Sequence, residues 1–170
     1  MKRTRAAGLA GLLAITVNTV ILKAGGPLGF LAESGGLLRL HVLYLGPLFE
    51  RLGINAWYTS AGLPSPSSVA FWLAFHYVTG FAMVFLYAAI FEPILPGSGP
   101  TKGSLFSLLP WLINGLVVLP LLGQGVLGHQ RLPVSGIVYF FVANWAFGAV
   151  LGALYERLRR VPEPRSVQRD

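Results

Sequence analysis

The sequence predicts an all-α fold: a four-helix transmembrane bundle with an interfacial helical segment on its outer side. Three observations carry that expectation. Only 11% of the 170 residues are charged and 54% are hydrophobic, whereas an ordinary soluble domain carries about 25% charged residues. Four long apolar runs recur along the chain, each near the roughly 20 residues a helix needs to cross about 30 Å of hydrocarbon. Breakers and charges sit at their flanks.

The first run covers residues 6–22 and ends at Lys23, whose stem can snorkel to the interface. Met1-Lys2-Arg3-Thr4-Arg5 would serve as the positive region of a signal peptide, but no A-x-A cleavage site follows, so an uncleaved anchor is expected. The connection that follows is long and not polar. Residues 37–58 read as an interfacial segment, helical pieces broken at Gly46-Pro47, with Trp57 and Tyr58 as anchors. Arg39, His41, Glu50 and Arg51 leave no clean run for a fifth span. The second span, 69–91, is entered from Pro64-Ser65-Pro66-Ser67-Ser68 and left at Glu92-Pro93. The third, 103–122, contains Pro110, where the missing backbone donor predicts a kink. The fourth, 134–155, stops at Glu156, Arg157, Arg159 and Arg160. Residues 1–160 form one transmembrane domain, and 161–170 read as a basic disordered tail.

The formal charge of +7 is not arranged for nucleic acid, which needs a basic patch on one folded face. Nine basic residues fall on the side of the two chain ends, and four, Lys23, Arg39, Arg51 and Arg131, on the other. The positive-inside rule therefore places both termini in the cytoplasm of a cell whose inner membrane the chain crosses several times.

Catalytic chemistry finds few residues to use. With no cysteine there is no disulfide framework, thiolate nucleophile or cysteine-based metal site. The lone aspartate is Asp170, and Glu33, Glu50, Glu92, Glu156 and Glu163 lie outside or at the edges of the apolar runs, so no paired intramembrane carboxylates exist. Serines and threonines lack an orienting acid beside His76. No catalytic residue, metal or cofactor is assigned in the primary reading, and the chain is not expected to be an enzyme.

Each span does carry one strong hydrogen-bonding side chain: Asn18, His76, Asn114 and Asn144. By helical rise, three fall in the outer half of the bilayer and Asn144 nearer its middle. Facing lipid they would be costly, so they should turn inward as interhelical glue or as a polar pocket. Gln124, in the turn Gly123-Gln124-Gly125, is a further candidate for binding. Gly80, Gly148 and Gly152 read as helix-packing positions, within the chain or between chains. The spacing His76-x-x-x-Gly80 to Tyr87 repeats as Asn144-x-x-x-Gly148 to Tyr155, which fits two parallel helix-hairpin repeats and equally fits coincidence.

The stretch Phe75-His76-Tyr77-Val78-Thr79-Gly80, with Leu95-Pro96-Gly97, Lys102-Gly103, Trp111-Leu112-Ile113-Asn114 and Leu119-Pro120-Leu121-Leu122-Gly123-Gln124-Gly125, resembles a prokaryotic family of small four-helix membrane proteins. That family is a domain of unknown function. Its fourth helix carries a histidine four residues before a glycine, where this chain has Asn144. The resemblance implies the architecture and supplies no activity.

For function, the leading expectation is a small accessory or assembly subunit, packing on a larger membrane complex or on its own copies in the lipid bilayer. The alternatives are a homo-oligomeric transporter or channel component for an uncharged solute, and an interfacial haem or metal protein using His76 with His41, His129 or a second copy.

Overall fold

The computed structural model describes residues 2–31, 36–65 and 68–160; Glu33 and the basic tail 161–170 lie outside the described residues. All regular structure in the described residues is helical: α1 (Arg3–Ala24), α2 (Gly36–Arg51), α3 (Ile54–Ser60), α4 (Val69–Ile94), α5 (Gly99–Leu121), a short 3-10 turn at Val126–Gly128, and α6 (Val134–Arg160). Helices α1, α4, α5 and α6 are each long and apolar enough to cross a membrane, and the chain is a multi-pass, four-helix membrane bundle. The end that bears Arg3 and Arg160 is called here the terminal end, and the opposite one the far end.

Small residues set the packing. Helix α1 buries Ala6, Ala7, Ala10, Gly11, Ala14 and Ile15, a narrow stripe that lets it sit between α4 and α6. Two glycines hold branched side chains across the α1–α4 contact. A Cβ on Gly11 would come within 2.7 Å of Val84, and one on Gly80 within 2.8 Å of Ile15. The contact between α5 and α6 is closer still. Gly99 and Gly103 of α5 face Gly148 and Gly152 of α6, and a Cβ on Gly103 or Gly152 would fall on the backbone carbonyl opposite. Gly148 and Gly152 thus pack inside the chain, and their partner stripe of Gly99, Gly103 and Ser107 begins ahead of the expected start of the third span.

The side-to-side order is α4, α1, α6, α5. Packing between α4 and α5 is concentrated at the terminal end, where Tyr87 and Phe91 meet Phe106 at ring distances of 5.3 and 5.1 Å. That end is also tied by polar groups. Arg3 donates to the Ala88 carbonyl and to Tyr155 Oη, Lys102 donates to the Glu92 carbonyl at 2.8 Å, and Glu156 accepts the Gly99 N–H at 2.8 Å. The last of these satisfies one of the unpaired amides at the start of α5.

Three local features depart from the expected pattern. Helix α5 passes through Pro110 as α-helix, and its irregularity lies further on, in the π-helical turn Asn114–Val118. A second π turn, Tyr87–Phe91, interrupts α4. Each ends two residues before a proline, Pro120 or Pro93, whose ring would otherwise press on the carbonyl four residues earlier, so the wider turn relieves the clash. Helix α2 likewise runs through Gly46-Pro47, where a break was expected, and ends at Arg51, with Gly53 at φ +69° making the turn into α3.

Candidate functional site: a cavity in the far half of the bundle

A cavity of about 170 Å³ lies in the far half of the bundle, reached by the C-terminal part of α1, the N-terminal halves of α4 and α6, and α5 around its π turn. Asn18, His76, Asn114 and Asn144, one from each spanning helix, all line it. The remaining wall is apolar and aromatic, including Trp72, Phe75, Phe140 and Phe147. Among the described residues no lysine, arginine, aspartate or glutamate contributes. An engineered apolar cavity of about 150 Å³ admits benzene, so the enclosed space suits one small ring or its equivalent.

The polar groups differ in what they have left to offer. Asn18 is buried, and its Nδ2 donates to the Ala143 carbonyl at 2.9 Å, tying α1 to α6. Asn144 donates at 2.8 Å to the Phe140 carbonyl of its own helix. An amide that donates through nitrogen keeps its oxygen as an acceptor. Asn114 holds its Oδ1 against Gly36, where a Cβ would approach to 3.3 Å. The π turn that begins at Asn114 sets this side chain's angular position on α5. His76 Nε2 is buried and has no hydrogen-bond partner among the described residues.

His76 is held by stacking. Trp72 lies parallel to its ring, with centroids 5.1 Å apart and 7° between planes, and Lys23 Nζ stands 4.1 Å from the Trp72 centroid. This column of ammonium, indole and imidazole joins the far ends of α1 and α4, and a cation over an indole face is electrostatically favourable. Thr79 also lines the cavity but turns its hydroxyl to the Phe75 and His76 carbonyls. Trp72 and Thr79, four residues before and three after His76, share its helical face, a spacing that marks them in the sequence.

Between α4 and α5 the far half of the wall is made by the first turn of α2. Gly36, Leu37 and Leu38 line the cavity, Gly36 rests against Asn114 and Val118, and the His41 ring meets Phe75 at 5.3 Å. Gln124 is buried but is not among the lining residues. It sits in the turn after α5, between Gly123 at φ +70° and Gly125 at φ +73°. Gly80 lines the cavity as well as packing on Ile15, whereas Gly148 and Gly152 serve the α5–α6 contact alone.

Among the described residues no three of His, Asp and Glu come together as a metal-holding group. His41 and His129 place their Nδ1 atoms on the Leu37 and Val126 carbonyls, at 2.8 and 2.9 Å. No protein family, curated protein or solved structure matches the chain.

Proposed function

We propose that this protein is a small membrane component that binds an uncharged molecule in its far-half cavity, as a carrier or transport component and without catalysis. One observation carries the reading: each spanning helix delivers an uncharged hydrogen-bonding side chain from its apolar stretch to the same cavity, and among the described residues none that lines it is a carboxylate, lysine or arginine. Were these groups only interhelical glue, each would be expected to pair with a neighbouring helix. Asn18 does so, Asn144 bonds within its own helix, and His76 Nε2 has no partner among the described residues. The charge asymmetry supports cytoplasmic termini, which puts the cavity in the outer half of the membrane.

The test is retention of a ligand through gentle detergent purification from the native membrane, followed by mass spectrometry. A compound retained near one per chain in wild type, and lost in Asn114→Leu, is the expected result. Wild-type protein that carries nothing, and melts at the same temperature with or without native membrane extract, would sink the reading.

The accessory-subunit reading keeps one specific support. Helix α4 buries only Val84 over Val69–Leu86, leaving a long apolar side for lipid or a neighbouring subunit. A larger chain that co-purifies stoichiometrically, and is displaced by Val78→Trp on the exposed side of α4, would favour it.

A further inference from the structure

We infer that the cavity takes the head of a neutral, lipid-soluble ring compound, one oxygen-bearing ring on a hydrocarbon tail, admitted sideways from the outer leaflet between α4 and α5. The inference rests on the binding reading above and names its ligand class and route. Four features point to it.

Among the described residues the lining set has no charged side chain to meet a phosphate, carboxylate or ammonium head. Its volume is that of a single ring, and its walls are largely flat, with Trp72, Phe75, Phe140 and Phe147 offering faces and edges. Its polar groups suit ring oxygens: His76 Nε2 is unpaired, and the side chains of Asn114 and Asn144 supply amide hydrogen-bonding groups. These groups can donate to a carbonyl or accept from a hydroxyl.

The fourth feature is the way in. At the α1–α4 corner the column of Lys23, Trp72 and His76 closes the wall. The α1–α6 and α5–α6 sides are sealed by continuous helix packing. On the remaining side, α4 and α5 meet mainly at the terminal end, and among the described residues α2 stands across the gap, with its first turn on the cavity, the His41 ring on Phe75 and Tyr44 Oη donating to the Leu121 carbonyl. Beyond that turn α2 exposes Val42, Leu43, Leu45, Leu48 and Phe49, an apolar surface that belongs against acyl chains. The opening therefore faces hydrocarbon. A polar solute would have to cross lipid to reach it, whereas a tailed ring is already dissolved there and can leave its tail outside.

The chain has no cysteine, so Met83→Cys places a single thiol on the cavity wall. Full-length protein in liposomes is treated with N-ethylmaleimide in the presence of decylubiquinone, dioctanoylglycerol, phenol or glycerol. Decylubiquinone is expected to slow labelling saturably by tenfold or more, with phenol and glycerol at least tenfold weaker as protectants. His76→Phe in the same background should abolish the difference. A second readout needs no cavity thiol: with Trp57, Trp111 and Trp145 changed to Phe, decylubiquinone should quench Trp72 saturably, and lose saturation in His76→Phe. Protection by phenol or glycerol without decylubiquinone would overturn the lipid-soluble ligand and leave the binding cavity standing. Equal protection by dioctanoylglycerol would overturn the ring. Protection by no probe, with unsaturable quenching, would overturn this inference and count against the cavity as a binding site.

Discussion

A buried polar atom left without a hydrogen bond costs about 1–3 kcal/mol, and His76 Nε2 is such an atom. Evolution toward stability alone would favour an apolar ring here, since the Trp72 face offers stacking to any flat group. Exchange of His76 for Phe is therefore expected to leave the ligand-free protein equally stable or up to about 1–3 kcal/mol more stable, while ligand retention falls. Thermal unfolding in detergent, paired with the retention assay, reads both effects. A His76→Phe protein that is clearly less stable would instead make the imidazole a packing element. Asn18 behaves oppositely, because its amide already bonds the Ala143 carbonyl on α6. Asn18→Leu should lose about 0.6 kcal/mol already in the ligand-free protein, the average for such bonds between membrane helices. The two substitutions together separate a residue kept for binding from one kept for helix register.

At the scale of the element, glycines differ by what stands opposite them. A Cβ on Gly80 meets the Cδ1 and Cγ1 of the Ile15 side chain, which can yield in part, whereas one on Gly103 meets the backbone of Gly148, which cannot rotate away. Gly103→Ala is expected to lose about 1–3 kcal/mol through overpacking and Gly80→Ala distinctly less, an order that unfolding in mixed micelles would check. Pro120 makes a different test. If its ring maintains the π turn, Pro120→Ala should let Asn114–Val118 tighten to α-helix, and removing the extra residue would turn Asn114 by about 100° about the helix axis. Ligand retention should then fall although the helix itself is strengthened; unchanged retention would detach the proline from the site. The four spans and the one polar residue in each were legible in the sequence, because membrane length and the expense of polar groups in lipid leave little freedom. The α5 partner of the Gly148 and Gly152 stripe was not, since Gly99 lies ahead of the apolar run. The π turns and the passage of α2 through Pro47 also escaped, because a proline tells where a helix must adjust and not how. The cavity depends on where α4 and α5 part, which is decided by contacts far apart in the chain.

For the whole molecule, the matched spacings from His76 to Tyr87 and from Asn144 to Tyr155 acquire a spatial counterpart. His76 and Asn144 share the cavity, and the rings of Tyr87 and Tyr155 meet edge to face at 5.9 Å in the core of the terminal end. In a duplicated hairpin, α4 against α5 would be the counterpart of α1 against α6. The second contact is extensive and the first is concentrated at one end, so the cavity lies where such a symmetry is broken and α2 intervenes. This arrangement needs α2 and α3 on the side of the membrane opposite both termini, a requirement the absence of cysteine makes easy to test. A single thiol at Ser60, exposed at the end of α3, should react with a membrane-impermeant maleimide added to intact cells. A thiol at Ser166 should react only after the membrane is opened. The nine basic residues on the terminal side against four on the other set that direction. Reaction of both thiols from the same side would mean that α4, α5 and α6, the three spans between them, do not all cross. Reaction of the Ser166 thiol alone in intact cells would invert the protein, and would place the cavity in the cytoplasmic leaflet.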